Sequence, residues 1–163
     1  MPSQQSSLLF QVATPGVSRR DLRAFLKRLE AEVADGRVFC CLIAADAELR
    51  RLNREFRKRD YPTDVLSFPL QKHPLPYGRG SVAVSDQCIA PCGEIAISYD
   101  TALRQSGEFG HDVKQEIEIL MLHGLLHLLG MDHETDGGRM LSAERKWRIR
   151  LGLPAGLIER VSA

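Results

Sequence analysis

The chain lacks the features that mark a secreted, membrane-bound or strongly charged protein. Its 163 residues carry a formal net charge of only +1, so the molecule as a whole has no strong electrostatic field. The N-terminus has no basic stretch followed by a long apolar run, so no secretory signal is expected. The most apolar run, from Ile117 to Gly130, is too short to cross a bilayer and contains two histidines. We therefore expect a cytoplasmic protein without membrane contacts.

Cysteine is also scarce, and the four cysteines fit that location. Cys40 and Cys41 are adjacent in an apolar, strand-like run and are predicted to be small core residues. Cys88 and Cys92 form a C-x3-C pair beside a proline, without the second pair that a four-cysteine metal site needs. We interpret these two as solvated loop thiols in preference to a metal or redox pair.

The chain does contain a histidine motif, His-x3-His-x5-His, formed by His123, His127 and His133. The first two lie one helical turn apart on the same face, with Cβ atoms about 5–6 Å apart, so both rings can reach one ion. Gly130 can adopt the left-handed conformation that ends a helix, which lets the chain return His133 to the same ion. Three neutral nitrogen ligands leave a tetrahedral ion with one open position, as in catalytic zinc sites. We predict one Zn²⁺ with an open coordination position for water.

A purely structural role for these histidines is the alternative. The predicted helix over 113–129 is strongly apolar, and a lone histidine there would most often be a hydrogen-bonded core residue. Three histidines at this spacing around a glycine favour the metal site. Asp132 is a candidate for orienting one imidazole, because ligating histidines usually donate their other N–H to an oxygen. It could equally cap the turn.

The same motif lacks the residue that a peptidase needs. Its spacing matches the metzincin pattern, in which a glutamate directly after the first histidine acts as the general base. Here that position is Gly124. The motif therefore predicts a hydrolytic site that is not proteolytic.

Periodicity and turn residues predict an α+β fold in a single domain over 1–163. The predicted strands cover 8–13, 38–44, 65–68 and 94–98, and the predicted helices cover 19–34, 46–56, 99–106, 113–129 and 137–151. Residues 70–92 contain three prolines and two glycines and are predicted to be a loop. We expect a small mixed sheet of about four strands packed with five to six helices, with the metal site on the helix that carries His123 and His127.

Positive charge is concentrated locally. One predicted helix presents Arg50, Arg54, Arg57 and Lys58 at helical spacing, and a second basic cluster follows the histidine motif over 145–150. Such patches can bind phosphates. On charge alone, however, the first patch is best read as a solvated helix face balanced by the acidic residues Glu48, Glu55 and Asp60.

Three segments together resemble the bacterial YbeY family. They are the histidine motif, the stretch from Leu52 to Pro69 that reads LNREFRKRDYPTDVLSFP, and the segment GEIAIS from Gly93 to Ser98. The resemblance runs in order from about residue 40 to 152. It implies a metal-dependent, single-strand-specific endoribonuclease that acts in ribosomal RNA maturation, notably at the 3′ end of 16S ribosomal RNA, and in ribosome quality control.

The resemblance also implies roles for particular residues. His123, His127 and His133 would be the zinc ligands, Arg57 would face the metal across a cleft, and Arg57 and His123 would be the catalytic residues. The implied partners are single-stranded or ribosomal RNA and ribosomal or ribosome-associated proteins. In such a mechanism zinc would supply hydroxide at neutral pH, and Arg57 would stabilise the charge developing at phosphorus. Asp132 and Glu134 are candidate proton shuttles.

Several alternatives stay open at this point. A metallopeptidase could use Glu134 or a group of the substrate as its base. A ribosome-assembly factor could hold a structural metal and no active site. Three imidazoles also suit nickel, cobalt or copper. Aromatic residues for stacking RNA bases are few, and of the candidates Phe56, Tyr61, Phe68 and Tyr77 the two phenylalanines are expected in the core.

Overall fold

The structure, a computed structural model, describes residues 5–70 and 92–162, with side chains as far as residue 160. These residues form a four-stranded sheet and six helices. The strands are β1 (Ser7–Phe10), β2 (Cys40–Ala44), β3 (Val65–Pro69) and β4 (Gly93–Ser98). The helices are α1 (Arg19–Glu32), α2 (Asp46–Arg57), α3 (Tyr99–Phe109), α4 (Val113–Leu128), α5 (Arg139–Leu151) and α6 (Leu157–Ser162).

The sheet is mixed, with the strand order β1-β2-β4-β3. β1, β2 and β4 run parallel, whereas β3 pairs antiparallel with β4 and places Ser67 opposite Ile95. Among the described strands, β1 and β3 form the two edges. The α+β class, the mixed sheet and the number of helices expected from the sequence are confirmed.

Side chains from the two faces of the sheet enter two separate clusters. Cys41 points into the large cluster that the sheet shares with α1 and α4, and Cys40 points into a smaller one that contains Leu49 and Leu52 of α2. All five residues of β2 are buried because the strand is covered on both faces. The prediction that Cys40 and Cys41 are core residues is therefore confirmed.

Helix α4 runs through the centre of the molecule and contacts β3, β4, α1, α3, α5 and α6. It begins with a capping box. The Asp112 carboxylate accepts a hydrogen bond from the backbone N–H of Gln115 (2.8 Å), and the side-chain oxygen of Gln115 accepts one from the backbone N–H of Asp112 (3.2 Å). Its apolar residues face every direction because neighbours cover the helix on all sides. The histidine motif is therefore attached to a helix that is enclosed by the rest of the fold.

Cys92 was predicted to be a solvated thiol, which is wrong: its side chain is buried, and burial raises the pKa of the thiol. The Cys92 amide also donates to the carbonyl of Val38, so this residue is tied to the strand region. Cys88 and most of the predicted 70–92 loop lie outside the described residues.

Within the described part of the chain, no helix is both long and apolar enough to cross a bilayer.

The short C-terminal helix α6, which the sequence patterns did not delineate, is held on α4 by a buried ion pair. Arg160 donates from both terminal nitrogens to the carboxylate of Glu116 at 2.8 and 2.7 Å. The two side chains are only 6% and 0% exposed. The same carboxylate contacts His111 at 2.5 Å. α6 is therefore attached to α4 through the Glu116 carboxylate, which would remain buried if Arg160 were removed.

We expect Arg160→Ala to destabilise the protein by about 3–5 kcal/mol, because it leaves a buried carboxylate without its cation. Urea unfolding of the two proteins measures this directly. The control is Arg50→Ala, which breaks the solvent-exposed pair with Asp60 and should cost much less, because surface ion pairs contribute little to stability. Equal losses for the two variants would show that the Arg160 pair contributes no more than a surface pair.

Candidate metal centre

The three histidines of the motif converge on one point. His123 and His127 lie on the last turns of α4, and His133 follows the turn at the end of that helix. One nitrogen from each ring lies within 4.8 Å of the others, and the Nε2 atoms of His123 and His127 are 3.2 Å apart. A tetrahedral ion with Zn–N distances of about 2.0–2.1 Å would separate its ligand nitrogens by about 3.4 Å. The His123–His127 distance is close to this value, and the three imidazoles together could hold one metal ion of the kind that imidazole ligands prefer.

The turn after α4 brings the third histidine back. Gly130 has φ +95°, the left-handed conformation expected from the sequence. The Met131 amide donates to the carbonyl of Leu126 (3.1 Å), which closes the helix end. The carbonyl of Met131 in turn lies 2.9 Å from Nδ1 of His127. The turn thus both returns His133 to the site and fixes the ring of His127.

A carboxylate fixes the ring of His123. Nδ1 of His123 lies 2.7 Å from Oε2 of Glu144 on α5, and both side chains are buried. With their Nδ1 atoms held by oxygens, His123 and His127 direct Nε2 at the shared site.

Protons compete only weakly with a metal for His127. Burial lowers the pKa of His127 to about 4, with help from the neighbouring His123 and His133. A histidine must be neutral to ligate a metal. His127 is therefore available as a ligand at neutral pH.

Asp132 takes the second of the two roles considered from the sequence. Its carboxylate accepts hydrogen bonds from the Glu134 amide (3.1 Å) and the Thr135 hydroxyl (3.2 Å), so it caps the turn. These bonds and the nearby His127 and His133 lower the pKa of Asp132. The oxygens that hold imidazole nitrogens belong to Glu144 and to the Met131 backbone, which sequence reasoning missed.

The site opens into a cleft of about 500 Å³. One wall is the edge strand β3 with the residues before it, and the other is the end of α4 with the turn that follows. The lining residues are Arg57, Thr63, Asp64, Val65, Ser67, Pro69, His123, His127, Gly130, Met131, Asp132, His133, Glu134 and Leu157. The structure therefore brings Arg57 and the three histidines together in one cavity.

Arg57 differs from the other arginines of α2. Arg50 pairs with Asp60 at 2.9 Å, and Arg51 pairs with Glu48 at 2.6 Å, as expected for a solvated and balanced helix face. Arg54 also lies within ion-pair distance of Asp60. Among the residues that the structure describes, no carboxylate forms an ion pair with Arg57. Its guanidinium is the one on this helix that lines the cleft.

The candidate stacking residues lie in different environments. Phe68 is buried in the smaller core cluster as expected, and the partly buried Phe56 packs against that cluster and meets Phe68 edge-to-face with ring centroids 5.4 Å apart. Tyr61 is 50% exposed and is accessible for stacking. Tyr77 lies outside the described residues.

Gly124 is a packing requirement of the fold. A Cβ atom at this position would lie 2.9 Å from Cγ2 of Ile95 and 3.1 Å from Oγ of Ser67. The Ser67 hydroxyl donates to the carbonyl of Gly124 at 3.0 Å, which binds β3 to α4 at this level. The sheet thus occupies the space that the glutamate of a metzincin would need.

We expect Gly124→Ala to destabilise the protein by about 1–3 kcal/mol through overpacking. Helix propensity alone would favour alanine by about 0.5–1 kcal/mol, so the sign of the change tests the packing. The matched control is Gly107→Ala on α3, where a Cβ meets nothing within 4 Å and a small gain is expected. Chemical unfolding of both variants and of the wild type measures the two changes in the free energy of unfolding. A stabilised Gly124→Ala protein would mean that β3 and β4 do not press on α4.

Comparison with known proteins places the chain in a family. The family model described as endoribonuclease YbeY matches residues 17–151. The chain belongs to the YbeY family. The endoribonuclease YbeY of Solibacter usitatus is 52% identical over 158 residues, covering 97% of this chain and 96% of that protein. The YbeY protein of Koribacter versatilis is 42% identical and covers 90% of this chain and 86% of its own length.

A solved structure supports the fold. The solution structure of TM1509 from Thermotoga maritima has a TM-score of 0.56 and 23% sequence identity, and it covers 86% of this chain and 85% of that chain. The family model and the curated relatives confirm the resemblance to the YbeY family that the motifs indicated.

Proposed function

We propose that this chain is a zinc-dependent endoribonuclease that cleaves single-stranded RNA in the cytoplasm. Its role would be in ribosomal RNA maturation, including the 3′ end of 16S ribosomal RNA, and in ribosome quality control, where it would meet ribosomal or ribosome-associated proteins. The observation that carries the proposal is the cleft in which three convergent histidine nitrogens share one cavity with Arg57. Membership of a family whose relatives carry the name endoribonuclease supports RNA as the substrate.

The histidines would hold the metal, and the oxygens of Glu144 and Met131 would hold two of the rings in place. When bound, zinc would supply a coordinated water whose pKa is lowered to about 7 and would polarise a phosphoryl oxygen. The protein does not need to supply a strong base beside the first histidine for this chemistry. The glycine at 124 is therefore compatible with phosphodiester cleavage.

Arg57 would bind the scissile phosphate. A guanidinium offers parallel N–H donors that match two phosphate oxygens, and its charge is worth most where negative charge develops during the reaction. An arginine already paired with a carboxylate would have to break that pair first. Among the described residues no carboxylate pairs with Arg57, so we assign phosphate binding to it. Arg50 and Arg51, which already have carboxylate partners, are assigned no role in catalysis.

The proton that leaves the attacking water needs an acceptor. Asp132 and Glu134 both line the cleft. Asp132 is already engaged by two hydrogen bonds and its pKa is lowered by them, which makes it a weak base. Glu134 is exposed and lines the cleft, so we assign it as the proton carrier.

The edge strand argues against a peptidase. Asp64 bonds to Ser98 of β4 and Leu70 bonds to Cys92 just before it, so the main-chain groups of Val65, Ser67 and Pro69 face away from β4, on the side where no other described strand pairs with β3. Two of these three positions have no N–H to offer, since the Val65 amide donates to Asp64 Oδ1 (2.7 Å) and proline has no N–H. A peptide that adds to a sheet edge needs regular main-chain donors. β3 is a poor template for an extended peptide.

The test of substrate class uses the zinc-loaded protein with end-labelled single-stranded RNA, the same RNA annealed to its complement, and denatured casein. We expect cleavage of the single strand, much slower cleavage of the duplex and no cleavage of casein. Casein cleavage without RNA cleavage would establish a peptidase. RNA binding without turnover, retained when all three histidines are replaced by alanine, would establish an assembly factor.

A further inference from the structure

Glu144 is a buried carboxylate with two different partners. It lies on α5 and is fully buried (0% exposed). Oε2 lies 2.7 Å from Nδ1 of His123, and Oε1 accepts a hydrogen bond from the Ile158 amide of α6 at 2.9 Å. A buried carboxylate is costly unless its oxygens are satisfied. Each oxygen of Glu144 therefore has one specific donor to accept from.

This arrangement determines which nitrogen of His123 carries the proton. A neutral imidazole has one N–H, and an ionised carboxylate can only accept. The N–H must therefore stand on Nδ1, facing Glu144, and Nε2 keeps a free lone pair. That Nε2 is the atom 3.2 Å from Nε2 of His127 at the shared site. The contact with Glu144 thus leaves the correct nitrogen of His123 free to ligate.

The segment between α5 and α6 holds Glu144 in place. A Cβ atom built on Gly156 would lie 2.7 Å from Cδ and 2.8 Å from Cγ of Glu144. Gly156 does not have a left-handed backbone, so its lack of a side chain is explained by this close approach and not by its conformation. α6 is itself anchored through Arg160 and Glu116. The carboxylate is enclosed between His123 on one side and the Gly156–Ile158 segment on the other.

We propose that Glu144 is a positioning residue for the metal centre and that the Gly156–Ile158 segment holds it there. Glu144 keeps His123 in the orientation and tautomer that present Nε2 to the ion. The C-terminal segment, distant in sequence from the histidine motif, thereby contributes to metal affinity without touching the metal. This inference rests on the proposed metal function and deepens it.

Glutamine at position 144 separates positioning from packing, because it has nearly the same shape but only one acceptor oxygen. If that oxygen accepts from the Ile158 amide, the NH₂ group faces Nδ1 of His123. Nδ1 must then accept, and the proton moves to Nε2, where it blocks the metal. If the glutamine side-chain amide is rotated so that its oxygen accepts from Nδ1 of His123, its NH₂ group faces the Ile158 N–H, and two donors meet. Either way one of the two contacts fails.

The experiment measures zinc affinity of the full-length chain by competition with a chromophoric chelator. Loss of a partner that orients a ligand typically costs 10–100-fold in metal affinity. We expect a loss of about that size for Glu144→Gln. Gly156→Ala, which displaces Glu144 without altering it, should weaken zinc binding in the same direction. The control Gly107→Ala should bind as the wild type does.

A second readout identifies the tautomer directly. In the metal-free protein at about pH 8, above the usual imidazole pKa of about 6.5, ¹H–¹⁵N correlation spectra of labelled histidine report which nitrogen of His123 is protonated. We expect Nδ1–H in the wild type and Nε2–H in Glu144→Gln. A merely structural glutamate would not produce this change. The wild-type spectrum tests the inference even if both variants fail to fold.

The outcomes distinguish this inference from the proposed function. A wild type that binds no zinc would overturn the metal centre and this inference with it. A wild type that binds zinc, with Glu144→Gln binding equally well, would overturn the positioning role alone. An Nε2–H tautomer of His123 in the wild type would overturn it as well.

Discussion

Replacing His127 by alanine is expected to abolish stoichiometric zinc binding. His127 supplies one of three converging nitrogens, and its ring is fixed by the Met131 carbonyl in the only described group of three possible metal-binding side chains. Two remaining histidines would leave the ion half-coordinated by the protein. The affinity should fall by more than the 10–100-fold typical of losing an outer partner. Metal analysis and chelator competition on the purified protein measure the loss.

The matched control for this variant is His111→Ala. His111 is also buried and hydrogen-bonded to a glutamate, but it lies just before α4, at the opposite end of the helix from the histidine motif. Its removal should cost stability and leave zinc stoichiometry unchanged. Undiminished zinc affinity in His127→Ala would contradict the assignment of the site.

Replacing Arg57 by alanine is expected to lower kcat for RNA cleavage by about 10²–10³-fold, equivalent to about 2.7–4 kcal/mol of transition-state stabilisation. The reason is that the guanidinium would meet charge that develops only during the reaction. Zinc affinity should be unchanged, because Arg57 lines the cleft but is not one of the three histidines that could hold the ion. Single-turnover cleavage of a labelled RNA separates the chemical step from binding.

Two further variants sharpen that test. Arg57→Lys keeps the charge but loses the planar fork, so it should recover part of the lost rate. Arg54→Ala removes an exposed arginine one turn earlier on α2 that pairs with Asp60 instead of lining the cleft. It should leave the chemical step close to wild type. Activity that survives Arg57→Ala unchanged would remove the assigned role of this residue.

Local sequence signals predicted the convergence of His123, His127 and His133 well because the geometry of this group is local. Two histidines at i and i+4 must share a helix face, and a glycine after the helix permits the return turn. The structure shows the same nitrogen convergence and the positive φ of Gly130. The order of strands and helices was predictable for a similar reason, since apolar periodicity and turn residues act over short distances.

The contacts that support the site could not be read in the same way. Glu144 is separated from His123 by 21 residues and reaches it only because α5 packs on α4. One signal was present: Met140, Glu144 and Leu151 are all buried on α5, so the glutamate interrupts an apolar stripe. A charged residue at such a position indicates a buried partner, but the sequence does not say which one.

The pairing of the α2 arginines and the burial of Cys92 also depend on the tertiary structure. The basic face of α2 was correctly read as balanced, yet only the packing separates Arg57 from the arginines that have carboxylate partners. Cys92 was wrongly placed in solvent because its loop composition concealed its position beside the strands. In each case the deciding neighbour lies far away in sequence.

The most direct test of the account is metal-dependent cleavage of a labelled single-stranded RNA by the purified protein. The metal is first removed with a chelator and then restored as zinc, with His127→Ala treated in parallel. We expect cleavage by the wild type, its loss on chelation, its return with zinc, and no cleavage by the variant at any stage. Cleavage that persists after chelation, or equal cleavage by His127→Ala, would contradict a catalytic metal at the three histidines.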